Sequence, residues 1–150
     1  MTKKAEIITF GCRLNIYESE ILKQGIKEHK VIDTAIFNSC AVTSESVRQV
    51  KQSIRKRRRE FPDEKIIVTG CAAQIEPETF SKMQEVDLVS GNIEKRDILN
   101  ILSKEKSSKK IEVQNIMENR QNLNGLTDGY DNRSRAFIEI QNGCDHRCTF

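Results

Sequence analysis

The chain has 150 residues, of which 37% are hydrophobic and 31% charged, with a formal net charge of +3. That is apolar material for one real core and the beginning of a second domain, while the charge says little about partners until its distribution is known. No apolar run approaches a membrane span and the opening Met1-Thr2-Lys3-Lys4-Ala5 leads into no secretory region, so the expectation is a cytoplasmic protein without a membrane partner.

Residues 6–10 (E-I-I-T-F) read as a short strand ending at Gly11-Cys12, followed by a helix with Asn15 as its N-cap. Leu14, Tyr17, Ile21, Leu22 and Ile26 fall on one side of that helix, and Glu18, Glu20, Lys23 and Lys27 largely outside it. The unit repeats. Residues 33–38 (D-T-A-I-F-N) lead to Ser39-Cys40 and a helix over 43–60 that ends at Pro62-Asp63, and residues 65–69 (K-I-I-V-T) lead to Gly70-Cys71. A fourth strand is expected over 86–90, a helix over 94–102, a charged tip over 103–110 and an edge strand over 111–113. Strands alternating with helices imply an α/β fold with a doubly wound parallel sheet over residues 1–114. Residues 115–133 carry five asparagines and two glycines with little periodicity, which reads as a linker over 115–134. The alternation of 136–141 (A-F-I-E-I-Q) then predicts a strand that opens a second domain over 135–150.

Five cysteines, an odd number at wide spacings and without a secretion signal, argue against a disulfide framework and for metal or catalytic roles. Cys12, Cys40 and Cys71 each follow the carboxyl end of an inferred strand, each behind a small residue: Gly11, Ser39 and Gly70. In a parallel sheet these ends share one edge, where open α/β folds form ligand sites, so three thiols can meet there. Three thiolates would leave one iron of a four-iron cluster without a protein ligand. Two other readings stand beside this one: buried structural cysteines, and a zinc site completed by His29 that lacks the usual short C-x-x-C spacing. Cys144 and Cys148 form a second group, C-x-x-x-C, at the end of the last inferred strand, suited to soft iron held on one loop. A third ligand is expected at the position after Phe150. His146, between the two, reads as an exposed loop residue, and Asn38 as a turn residue.

The helix over 43–60 holds seven basic residues against two acids, a local +5 beside the +3 of the whole chain. Arg48, Lys51 and Arg55 form a ridge about 100° round from the buried stripe of Val47, Val50 and Ile54. Such a ridge suits RNA phosphates near Cys40, and an ordinary solvated face explains it equally well.

The ending C-D-H-R-C-T-F supplies seven of the eight positions of C-x-x-x-C-x-aromatic-C, and so resembles the signature of radical S-adenosylmethionine enzymes. Upstream, F-G-C-R-L-N (10–15), N-S-C-A-V (38–42), G-C-A-A-Q (70–74) and N-G-C (142–144) resemble, in order, the signature blocks of the methylthiotransferases, and T-F-G-C-R-L-N-x-Y-E-S-E is most similar to the branch acting on threonylcarbamoyladenosine in transfer RNA. The resemblance implies two [4Fe-4S] clusters and S-adenosyl-L-methionine as cofactors. Cys12, Cys40 and Cys71 would hold an auxiliary cluster; Cys144 and Cys148 would hold the radical cluster, with Phe150 against the cofactor. It further implies that residues 135–150 contribute the first strand of a radical SAM partial α/β barrel, and that a radical made at one cluster activates an adenine carbon to which the other delivers a methylated sulfur. A transfer-RNA substrate, an electron donor of flavodoxin or ferredoxin type and a monomeric state are the partners expected. Relatives acting on isopentenyladenosine or on a ribosomal protein, and a non-catalytic iron-sulfur or RNA-binding module, are the alternatives.

Overall fold

A computed structural model describes residues 4–96, 98, 100, 110–115, 130 and 134–141. Its element order is β1 (Glu6–Thr9), α1 (Arg13–Glu28), β2 (Thr34–Ser39), α2 (Ser44–Glu60), β3 (Lys65–Gly70), α3 (Cys71–Ile75), α4 (Pro77–Ser81), β4 (Leu88–Ser90), a 3-10 turn (Glu94–Arg96) and β5 (Ile111–Glu112). The five strands make one all-parallel sheet. β2 is buried at all six positions and β3 at five of six, because helices cover both faces of a parallel sheet and leave its central strands no solvent side.

Successive residues of one strand serve opposite layers. Ala35 and Phe37 of β2, with Ile66 and Val68 of β3, pack against Val50 and Ile54 of α2, Ala72 and Ala73 of α3, and Phe80 of α4. Ile36 and Ile67 point the other way, toward Ile26 of α1 and Ile98. α2 starts at Thr43, whose Oγ1 accepts a hydrogen bond from the Ser46 backbone N–H at 3.1 Å, satisfying one of the orphan donors of a helix start.

Several expectations are corrected. Helices do lie on both faces, but the strand order is β1-β2-β3-β4-β5 without reversal, so the switch point of a doubly wound sheet is absent among the described strands. The N-cap of α1 is Cys12 rather than Asn15; Asn15 is buried within the first turn. Glu18 and Glu20 also face inward, 6% and 7% exposed, because each has a cation partner: Lys95 for Glu18 and Lys23 for Glu20. Residues 134–141 form no strand, and Ile138 and Ile140 are exposed. An alternating pattern becomes a strand only when a neighbour supplies a hydrogen-bond ladder, and no described strand pairs with these residues.

Candidate metal centre

The ladders run to the carboxyl ends of β1, β2 and β3, where Thr9 pairs with Asn38 and Ser39 with Gly70. Just beyond those pairs stand Cys12, Cys40 and Cys71, all three free thiols: Cys12 exposed at the start of α1, Cys40 buried, Cys71 part-buried at the first residue of α3. Gly11 and Gly70 turn the chain into these loops with φ of +96° and +95°, a region that side-chain-bearing residues rarely adopt. Space is equally restrictive. A Cβ on Gly11 would lie 2.4 Å from Cys40 Sγ, and one on Gly70 would lie 2.3 Å from the Ser39 carbonyl oxygen. The loops therefore touch each other at the glycines that precede two of the cysteines.

Burial pushes the Cys71 thiol up, with smaller upward contributions from Glu18 and Cys12 and downward ones from Lys95 and from the Asn92 side-chain amide, whose Nδ2 is 4.0 Å from Cys71 Sγ. Cys12 and Cys71 are thus electrostatic neighbours. Among the described residues, no three His, Cys, Asp or Glu side chains stand close enough to hold a single metal ion. A four-iron cluster asks for something different, since each thiolate binds its own iron and the sulfurs stand further apart than around one zinc. His29 is removed from any such set: it caps the far end of α1, about 25 Å along the helix from Cys12, with its ring on the Gly25 carbonyl.

A polar network underlies the loops. Asn15 Nδ2 donates to the Phe10 carbonyl at 2.8 Å and to the Ser39 carbonyl at 3.1 Å. Asn38 Nδ2 donates to the Asn15 carbonyl and to Ser19 Oγ, both at 3.0 Å, and Thr9 Oγ1 donates to the same Ser19 oxygen. Ser39 Oγ donates to the Thr69 carbonyl and accepts from the Ala73 N–H at 3.2 Å. Lys95, fully buried, pairs with Glu18 across the same end of the sheet. In sequence Asn15 reads as a cap and Asn38 as a turn residue; the signal that separates them from those roles is their placement within two or three residues of a cysteine at a strand end.

The basic helix divides in two. Arg57 and Arg58 are clamps: Arg57 forks onto buried Glu64 and reaches Glu6, while Arg58 holds Asp87 and the carbonyls of Pro62, Glu64 and Glu85. Arg48, Lys51 and Arg55 lie along the helix with looser partners. Arg48 bonds exposed Glu45 through two nitrogens at 2.7 Å and brings its carboxyl down to about 2, Lys51 Nζ sits 5.8 Å from the Phe80 ring centre, and Arg55 is 4.0 Å from Glu85. Cys144, Cys148 and Phe150 lie outside the described residues. No described helix is long and apolar enough to cross a membrane.

A parallel α/β domain whose three strand-end cysteines share one edge defines the class, and comparison places it. Residues 4–91 match the uncharacterized protein family UPF0004, and the chain belongs to that family. It is 48% identical over 149 residues to the threonylcarbamoyladenosine tRNA methylthiotransferase MtaB of Rickettsia prowazekii, covering 98% of this chain and 34% of that protein. It is 34% identical over 157 residues to the MtaB of Aquifex aeolicus, covering 98% of this chain and 38% of that one. A tRNA-2-methylthio-N(6)-dimethylallyladenosine synthase of Zymomonas mobilis is 29% identical over 154 residues, at 96% and 34% coverage. The chain thus spans about a third of the length of the curated relatives it matches.

Proposed function

We propose that this chain supplies the auxiliary-cluster domain of a transfer-RNA methylthiotransferase acting on threonylcarbamoyladenosine. The observation that carries the reading is the gathering of Cys12, Cys40 and Cys71 as free thiols at one sheet edge, in a chain whose relatives at 48% and 34% identity bear that name. The donor set suits the group: all-sulfur ligation is what iron-sulfur clusters use, and three thiolates on separate loops offer three irons one ligand each. When bound, the cluster would present an iron without a protein ligand, the chemistry needed to hand sulfur to an activated carbon.

The chain's own residues do the holding. Gly11 lets its loop close on Cys40, the short α3 begins at Cys71 itself, and Asn92 and Lys95 favour the Cys71 thiolate. Cys144 and Cys148, with a cysteine at the position after Phe150, would hold the second cluster, which would pass an electron from a flavodoxin- or ferredoxin-type donor to S-adenosyl-L-methionine, and Phe150 would lie beside that cofactor. The ridge of exposed Arg48 and Arg55 with half-buried Lys51 between them would meet phosphates of the transfer RNA. The reading is of a cytoplasmic, monomeric enzyme.

Expression of the whole gene in a host lacking its own threonylcarbamoyladenosine methylthiotransferase tests the proposal. Nucleoside mass spectrometry should show the methylthio group on threonylcarbamoyladenosine, abolished by Cys40→Ala or Cys144→Ala. A methylthio group appearing only on isopentenyladenosine, or on no nucleoside, would overturn it.

A further inference from the structure

We infer that Asn15 and Ser39 are positioning residues that set the spacing of Cys12, Cys40 and Cys71, an inference that rests on the reading of those cysteines as one ligand set. The backbone ladders give out just before the cysteines. Between β1 and β2 the last hydrogen bond is from Phe10 N–H to the Asn38 carbonyl at 2.9 Å, and the β2–β3 register ends at Ser39 and Gly70. Beyond that point side chains take over, one for each neighbouring pair of loops.

Asn15 spans the first pair. The two hydrogens of its amide go to the carbonyls of Phe10, two residues before Cys12, and of Ser39, immediately before Cys40. Ser39 spans the second pair, its hydroxyl donating to Thr69, two residues before Cys71, and accepting from Ala73, two residues after it. Both side chains are buried, 1% and 0% exposed, so these bonds operate without competition from water. Asn15 Oδ1 meanwhile has no partner. A buried acceptor left unpaired is unfavourable, and a residue serving only to fill this space would be apolar; what Asn15 contributes is its two donors. Neither residue would touch iron, so neither is a catalytic residue. They act through the cysteines, by holding three loops at separations that one rigid cluster can bridge.

The test uses the 150-residue chain with Asn15→Asp, which keeps the shape but has no donor hydrogens at pH 8, Ser39→Ala, which removes one hydroxyl, and Ser39→Thr, which restores it. Amide hydrogen exchange on the metal-free proteins reads the loops directly. Exchange around Cys12 and Cys40 should rise at least about tenfold in Asn15→Asp, and around Cys40 and Cys71 in Ser39→Ala, since each variant loses two hydrogen bonds. The rest of the sheet should be unchanged and Ser39→Thr should revert toward wild type. After anaerobic reconstitution, the same two variants should release iron to a chelator several-fold faster and show an altered electron paramagnetic resonance signal. Wild-type exchange in both variants would overturn the positioning role, and a uniform rise across the whole sheet would overturn it by showing a plain stability effect. If Asn15→Asp does not fold, Ser39→Ala carries the decision. A wild-type chain that takes up no iron while the variants still loosen the loops would refute the cluster reading and leave the positioning intact.

Discussion

At the scale of single residues, the carboxyl edge of the sheet depends on atoms that are absent as much as on those present. Gly11 and Gly70 hold φ near +95° with other loops pressed against the space a Cβ would fill. Gly11→Ala and Gly70→Ala should each lower stability by about 1–3 kcal/mol from the backbone conformation alone, with a further decrease as Cys40 or Ser39 is displaced. Urea denaturation checks this. The Glu18–Lys95 pair makes a second prediction, because both side chains are buried. Lys95→Met should cost about 3–5 kcal/mol by leaving a buried carboxylate unpaired, and most of that should return when Glu18→Leu is added. Additive effects in the double variant would show that the two side chains are not coupled.

At the scale of elements, α2 combines a structural and a surface function on one helix. Arg57→Ala should destabilise the domain by about 3–5 kcal/mol, since buried Glu64 is left without its fork partner. Changing exposed Arg48 and Arg55 and half-buried Lys51 together to Gln should lower stability by no more than about 1.5 kcal/mol, about 0.5 for each position. In the longer protein the same triple change should weaken transfer-RNA binding and reduce the salt dependence by about one log–log unit for each phosphate that is no longer neutralised. The elements themselves were largely legible from sequence. Apolar runs such as I-I-V before Gly70, and the period of Val47, Val50 and Ile54, have one physical reading each, and β3 and α2 stand where those patterns put them, whereas the short α3 and α4 carry no such pattern. What stayed hidden is polar. Glu18 and Asn15 resemble surface or cap residues in sequence, and only their distant partners, Lys95 at 77 positions and Ser39 at 24 positions along the chain, explain their burial. The crowd of five bases from Arg55 to Arg59 misleads in the same way, since Arg57 and Arg58 are folded inward as clamps. The alternation at 136–141 misleads in the opposite sense, because a pattern suited to pairing does not itself provide a partner strand.

At the scale of the whole molecule, three successive parallel strands bring cysteines 28 and 31 residues apart in sequence to one edge, which no local motif could do. The most direct check is anaerobic reconstitution of the 150-residue chain in a Cys144→Ala, Cys148→Ala background, with iron and sulfide measured per polypeptide. About four irons and four sulfides should be bound, and the further changes Cys12→Ala, Cys40→Ala and Cys71→Ala should each abolish the centre and its charge-transfer absorption. Full iron and unchanged absorption in all three of those variants would contradict a cluster shared by the three strand ends.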